Sequence, residues 1–197
     1  MLHKRGYSCL TRAISLFSLL LPAVLLAACA TPAAPVSKPP IKIGVVEPVS
    51  NPAFVELVKA ELNGLKLGFE EGNWEVAGRK IELLVEDSEG QPPVTLSKAK
   101  KLVEANKVHI LLGAQGSAEI LALIPYVNET KTPALVVASG TTIQLATKQK
   151  SDWYWRISET GPSFPITEAG YNVKNFGKKG IIITFDYVWG KEIAGVF

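Results

Sequence analysis

Cysteine and histidine are scarce in this sequence, with 2 residues of each type among 197. Both cysteines, Cys9 and Cys29, lie near the N-terminus, and His109 is the only histidine beyond them. A chain that loses its first 28 residues and carries a modified Cys29 has no free thiol and a single imidazole. Serine–histidine catalysis, cysteine–histidine catalysis and zinc chemistry therefore lack their residues.

The N-terminus has the composition of an export signal. An apolar stretch at 13–28 follows a positively charged start and is short for a membrane-spanning helix. Its last residues, with Cys29, form the run Leu-Ala-Ala-Cys, which is typical of a bacterial lipoprotein processing site. We therefore expect a signal peptide at 1–28 and a lipid on Cys29 that anchors an exported protein to the cell membrane, facing the periplasm or the exterior. A simple transmembrane anchor is the alternative.

The net charge of +3 comes from this leader. Its three cations are Lys4, Arg5 and Arg12, and removing them leaves 18 basic side chains against 18 acidic ones. A balanced surface gives no electrostatic footprint for DNA, RNA or an anionic bilayer, which excludes nucleic acid as a partner. Removing 28 of the 197 residues leaves 169, enough for one ordinary domain but not for two.

The pattern behind the leader predicts an α/β fold with a doubly wound parallel sheet. Residues 29–40 are rich in proline and alanine and predict a semi-extended tether. From residue 41 onward, short apolar runs alternate with amphipathic stretches, as in βαβ units. The predicted strands are 41–46, 81–85, 108–112 and 134–137.

Helices are predicted between these strands from apolar residues three or four positions apart. In the first helix they are Phe54, Val58, Leu62, Leu65 and Phe69, and Gly72 is its predicted end. In the second they are Leu96, Ala99, Leu102 and Val103, and in the third Ile120, Leu123, Ile124 and Val127.

Two of the predicted strands end in loops built from glycine, serine and threonine, at 113–117 and 138–142. In open parallel sheets, ligands bind in the crevice beyond the carboxyl ends of the strands. The loops are therefore a candidate binding site, although turn formation and helix capping explain the same residue types equally well.

The pattern restarts after residue 156. A helix at 166–176 closed by Gly177, a fifth strand at 181–185 and a turn at 186–190 into another helix are predicted there. One strand in about 35 residues cannot bury a core of its own. We therefore expect this segment to be the start of a second unit.

Four short motifs resemble the solute-binding proteins of branched-chain amino-acid ABC transporters, the Leu/Ile/Val-binding type of periplasmic binding protein. They are IKIG at 41–44, GRKIEL at 78–83, EDSEG at 86–90 and AKKLV at 99–103, and they follow the family order. The resemblance implies two α/β lobes that close on a small ligand. It implies an N-terminal ligand-binding lobe at 41–158 and an incomplete start of the second lobe at 159–197.

The resemblance also implies the ligand-binding residues. Ser117 matches the family serine that donates to the ligand carboxylate, and Gly116 precedes it. Ser139, Gly140 and Thr141 match the second loop, which meets the carboxylate and the ammonium of an amino acid. Ser117 begins a predicted helix, where backbone N–H groups and the helix dipole favour an anion.

Trp189 stands before Gly190, where the family often has tyrosine, and either lines the pocket or packs in the core. Phe54 is expected to be the first buried residue of its helix rather than a pocket residue. Arg156 is expected in a structural ion pair, and His109 is expected to be packed or edge-exposed rather than catalytic. The family's acidic partner for the ligand ammonium would lie beyond residue 197.

The predicted function is an extracytoplasmic, lipid-anchored substrate-binding protein of an ABC importer. It would capture an amino acid or a related small polar solute and deliver it to the permease. The alternatives are a ligand-sensing receptor domain and a hydrolase on the same kind of sheet. No catalytic residue, metal or cofactor is predicted, because Gly113-Ala114-Gln115-Gly116 lacks a full dinucleotide motif and Ser117 has no evident general base.

Overall fold

A computed structural model describes residues 38–136, 141–158, 161 and 163–195, with the side chains of Phe164 and Thr167 excepted. The predicted signal peptide, Cys29 and most of the predicted tether lie outside the described residues. So do Ser139 and Gly140.

The centre of the protein is a six-stranded sheet of order β2-β3-β1-β4-β5-β6. Its strands are β1 (Ile41–Glu47), β2 (Glu75–Val76), β3 (Arg79–Asp87), β4 (Ile110–Gly113), β5 (Ala134–Val136) and β6 (Tyr154–Arg156). All neighbouring pairs are parallel except β2–β3, which is a short antiparallel hairpin. The predicted α/β class with a doubly wound parallel sheet is confirmed.

Strand β1 lies in the middle because it is apolar on both faces. Its residues from Ile43 to Glu47 are all buried, as is typical of a strand with helices on both sides. In register, Ile43 lies opposite Leu83 of β3 and Ile110 of β4. The remaining strands are added to the sheet on both sides of β1.

Helices cover both faces of the sheet. On one face, α1 (Val55–Glu71) packs Leu62, Leu65 and Phe69 against the β1 side chains Ile43 and Val45. On the other, α2 (Pro92–Lys100) and α3 (Ser117–Thr130) pack around the strands. Their buried members are Ala99, Ile120, Leu123, Ile124 and Val127, with Leu102 in the π-helical turn Lys101–Ala105 that extends α2. The predicted stripes are confirmed except at Phe54, which precedes α1 as its N-cap and is only half-buried. Gly72 caps α1 as expected.

Two strand predictions were wrong. The sequence predicted no strand at Tyr154–Arg156, but these residues form β6 and pair with β5. The predicted strand at 181–185 has no strand conformation, and Ile181 and Ile183 are 90% and 93% exposed. A parallel strand needs a neighbour for its backbone hydrogen bonds, so β propensity alone does not form one.

The C-terminal part contains α4 (Ser163–Phe176) and α5 (Val188–Ala194). Helix α4 agrees with the predicted helix, and Gly177 follows it with a positive φ of 97°. Among the described residues, no helix is both long enough and apolar enough to cross a membrane.

Candidate ligand-binding site

The candidate site lies where the strand order reverses. Strand β1 is followed in sequence by β3 on one side and then by β4 on the other. The carboxyl ends of β1 and β4, at Glu47 and Gly113, therefore flank the crevice in which doubly wound sheets bind ligands. Gly113 has a φ of 110°, and a Cβ there would collide with the Val46 carbonyl oxygen, so only glycine permits this close approach.

The N-terminus of α3 faces this crevice from the loop after β4. Gly116 is the N-cap and Ser117 the first helical residue, with 2% of its surface exposed. The first backbone N–H groups of a helix have no acceptor within it, and the helix dipole adds partial positive charge. The predicted pair Gly116 and Ser117 thus stands where an anion is favoured.

Glu119 fixes this helix end. Its Oε2 accepts a hydrogen bond from the Gly116 backbone N–H at 2.9 Å. Its Oε1 accepts from the hydroxyls of Ser88, after β3, and Thr95, on α2, each at 2.7 Å. The buried carboxylate therefore ties the candidate loop to two other elements.

Thr141 lies on the second predicted loop and is also buried. Within the described residues its hydroxyl has no hydrogen-bond partner. Its carbonyl oxygen accepts from the Gly161 backbone N–H at 2.7 Å. An unpaired buried hydroxyl costs free energy unless a ligand satisfies it, so Thr141 is suited to bind a polar ligand group.

Trp189 lies beside this loop. A Cβ on Gly161 would stand 2.8 Å from the Trp189 indole Cδ1 and 3.3 Å from the Thr141 carbonyl oxygen. Only glycine therefore leaves room for the indole. Tyr187 stacks on Trp189 with ring centroids 6.0 Å apart. Trp189, one of the residues predicted from the sequence, therefore lies near Thr141. The stacked rings of Tyr187 and Trp189 form an aromatic wall.

Glu47 was missed by sequence reasoning. Its side chain is buried at the carboxyl end of β1, and its Oε2 has no hydrogen-bond partner within the described residues. Burial, followed by the nearby charges of Glu61 and Glu119, raises the pKa of Glu47 to about 9. This shift favours the neutral carboxylic acid at pH 7. The available signal was an acidic residue directly after the apolar pair Val45 and Val46.

Glu61, on α1, lies next to this group. Its Oε1 accepts from the Gln115 side-chain N–H at 3.1 Å, and Gln115 belongs to the loop that ends at Ser117. Burial raises the pKa of Glu61, while the hydrogen bond from Gln115 opposes the shift. Polar side chains from α1, the end of β1 and the loop after β4 thus lie close together.

Three other residues singled out in the sequence, Arg156, His109 and Phe54, hold or begin elements of the fold. Arg156 donates from Nη1 to the Thr142 carbonyl oxygen at 2.7 Å, which fixes the second loop from β6. His109 precedes β4, and its Nδ1 accepts from the Lys42 backbone N–H at 3.0 Å. Phe54 is half-buried at the N-cap of α1.

The described residues contain no cluster of three or more histidine, cysteine or acidic side chains placed to hold a metal. A groove of about 600 Å³ lies elsewhere, between α4 and residues 177–183. Its lining includes neither Ser117 nor Thr141, so it is separate from the candidate site.

These features define a class: a doubly wound α/β lobe with a candidate crevice beyond the carboxyl ends of its strands. A family model described as periplasmic binding protein matches residues 40–196. The chain belongs to this family. Its members include type I binding proteins of ABC transporters, in agreement with the resemblance seen in the sequence.

Solved structures show the same fold. A solute-binding protein of an ABC transporter from Rhodopseudomonas palustris BisB5, in complex with 3,4-dihydroxybenzoic acid, is 28% identical with a TM-score of 0.72, over 79% of this chain and 42% of that one. An ABC transporter substrate-binding protein from Sphaerobacter thermophilus is 27% identical with a TM-score of 0.69, over 81% and 43%.

A leucine-binding protein from Thermotoga maritima is 24% identical with a TM-score of 0.66, over 80% of this chain and 45% of that one. The chain thus spans less than half the length of these structures. No curated protein sequence matches the chain significantly.

Proposed function

We propose that this chain carries the first ligand-binding lobe of an extracytoplasmic solute-binding protein, which captures a small organic carboxylate for an ABC importer. The observation that supports the proposal is that the loops after the neighbouring strands β4 and β5 each carry one feature suited to a polar ligand. The N-terminus of α3, with buried Ser117, favours an anion, and the Thr141 hydroxyl is buried without a partner. Family membership supports the same class of function.

An amino acid or a related small polar solute is the ligand class that the sequence resemblance implies. Ser117 and the amides of the α3 N-terminus would hold the carboxylate. Thr141, together with Ser139 and Gly140 of the same loop, would contact the carboxylate and the ammonium. Trp189 would close the pocket over the ligand body.

An aromatic carboxylate is the second candidate, and the aromatic wall favours it. Trp189 and Tyr187 are stacked beside Thr141, and such a surface suits a planar ring. The similar protein from R. palustris BisB5 was solved with 3,4-dihydroxybenzoic acid, which has a carboxylate on an aromatic ring. Both candidates use the same anion site and differ in what lies against Trp189.

The proposal includes export and a lipid anchor on Cys29, which would hold the receptor near its permease. Mass spectrometry of the mature N-terminus tests the anchor. We expect a lipid-modified Cys29 in the wild type and a soluble, unmodified product from Cys29→Ser. An N-terminus that still carries residues 1–28 would contradict the predicted processing.

Calorimetry of the whole protein tests the binding site with L-leucine, benzoate and 3,4-dihydroxybenzoate. We expect at least one to bind, and we expect Ser117→Ala combined with Thr141→Ala to abolish binding while the protein stays folded. Ser97→Ala, on the exposed surface of α2, is the matched control. Wild-type affinity in the double variant would refute the site, and turnover of a bound ester or amide would favour the hydrolase.

A sensor domain would bind the same ligands but would not feed a permease. Uptake of the bound probe by cells lacking the protein separates these two roles. Loss of uptake supports the transporter, and normal uptake with a lost transcriptional or chemotactic response supports the sensor.

A further inference from the structure

Glu192 connects α5 to the loop of the candidate site. Its Oε1 accepts from the Thr142 hydroxyl at 2.7 Å and from the Gln144 side-chain N–H at 3.4 Å. Its Oε2 accepts from the Ile143 backbone N–H at 3.1 Å. One carboxylate therefore holds three consecutive residues, which directly follow Thr141 in the sequence.

The same loop is also hydrogen-bonded to the sheet. Arg156 of β6 donates to the Thr142 carbonyl oxygen, as described above, and the Thr142 hydroxyl also accepts from the Gln144 backbone N–H at 3.3 Å. Thr142 is fully buried. Helix α5 also contacts α3, the helix that carries Ser117. Helix α5 therefore contacts both the loop that follows Thr141 and helix α3.

Removing the Glu192 carboxylate would leave polar groups without partners. The Ile143 N–H would lose the acceptor that α5 supplies, and the buried Thr142 hydroxyl would have no acceptor for its proton. Hydrogen bonds to an ionised carboxylate are stronger than neutral ones. The hydrogen bonds of residues 142–144 to Glu192 thus exist only when α5 lies against this loop.

We propose that Glu192 is a positioning residue that holds the Thr141 loop in its ligand-binding geometry only while α5 is docked. Docking of α5 and completion of the ligand site are then one event. The inference rests on the proposed function in one respect, because it takes Thr141 to contact the ligand. Trp189 lies on the same helix, so docking of α5 would form the aromatic wall and order the Thr141 loop together.

Hydrogen–deuterium exchange of the whole protein without ligand tests the loop. The variants are Glu192→Ala, Glu192→Gln and Glu192→Asp, with Glu168→Gln on the exposed side of α4 as the matched control. We expect exchange across 141–145 to rise at least about tenfold in the alanine and glutamine variants, the change expected for one lost charge-assisted bond. The aspartate variant keeps two acceptor oxygens and should restore part of the protection.

Stopped-flow binding of benzoate and L-leucine tests the link to the ligand. We expect Glu192→Gln to raise koff at least about tenfold while kon stays within about threefold, because a lost holding contact acts on dissociation. Unchanged exchange at 141–145 in Glu192→Ala overturns the inference, as does unchanged koff in a variant whose loop exchanges faster.

Failure of the wild type to bind either probe and failure of a variant to fold are two further outcomes, and each has its own interpretation. If the wild type binds neither probe, the proposed ligand classes fail, and exchange alone decides whether Glu192 holds the loop. If Glu192→Ala does not fold, as judged by thermal melting, the glutamine and aspartate variants carry the test.

Discussion

Replacing Glu47 with glutamine should make the protein more stable than the wild type as the pH rises. Glu47 is buried at the carboxyl end of β1, and burial together with Glu61 and Glu119 raises its pKa from 4.5 to about 9. The folded protein therefore keeps a proton that the unfolded chain has released. Raising the pH through this interval favours the unfolded state, so wild-type stability falls. Glutamine has no proton to lose, and the decline should disappear.

The size of the effect follows from the interval between the pKa of Glu47 in the unfolded chain and its pKa in the folded protein. Each pH unit inside it changes the free energy of unfolding by about 1.4 kcal/mol. From pH 5 to pH 8 the ceiling is therefore about 4 kcal/mol. Glu61 lies beside Glu47, so the two carboxyl groups titrate as a coupled pair. We therefore expect at least about half of that ceiling, or about 2 kcal/mol. Any packing cost of the glutamine amide is the same at every pH and does not enter the slope.

Urea unfolding at pH 5, 6, 7 and 8 measures this slope for the wild type and the variant. Glu70→Gln, which removes an exposed carboxyl group from α1, is the control for net charge. We expect the difference between Glu47→Gln and wild type to grow steadily with pH, and the Glu70→Gln difference to stay nearly flat. A constant difference for Glu47→Gln would show that Glu47 is ionised in the folded protein and would refute the reasoning.

Three other substitutions test separate parts of the site. Glu119→Ala should lower the free energy of unfolding by at least about 3 kcal/mol, since two hydroxyls and the Gly116 amide lose their acceptor; an unchanged urea midpoint would contradict this. Tyr154→Phe should cost about 1–2 kcal/mol by removing the bond from its hydroxyl to the buried Gly113 carbonyl, and an equal loss in Tyr171→Phe, whose ring is exposed, would argue against a specific bond. Trp189→Ala should weaken benzoate binding at least about tenfold in calorimetry if the indole lines the pocket, whereas a lower melting temperature with unchanged affinity would assign it to packing.

The central strands and the helix stripes could be predicted because their signals are local. Strand β1 is rich in isoleucine and valine, and α1 repeats its apolar residues every three or four positions. Ser117 and Gly116 could be placed for a similar reason, since a strand, a glycine-rich turn and a helix follow each other directly in the sequence.

The rest depends on residues far apart in the sequence. β6 is three residues long and becomes a strand only because β5 offers an edge, while residues 181–185 have the stronger apolar pattern and no strand partner. Glu192 gives no local signal, because its three donors lie about 50 positions earlier. Glu47 gives a weak one, since only the fold shows that its carboxyl group is buried next to Glu61 and Glu119.

These distant contacts explain how a loop with an unpaired hydroxyl stays in place. Thr141 cannot satisfy its own side chain, and in an isolated loop water would do so. Arg156 and Glu192 instead form hydrogen bonds with its neighbours Thr142 and Ile143. The loop is thereby fixed by bonds that do not use the Thr141 hydroxyl, which leaves that group available for a ligand. In the receptor proposed above, the bonds that order the site would thus be separate from the bonds that the ligand makes.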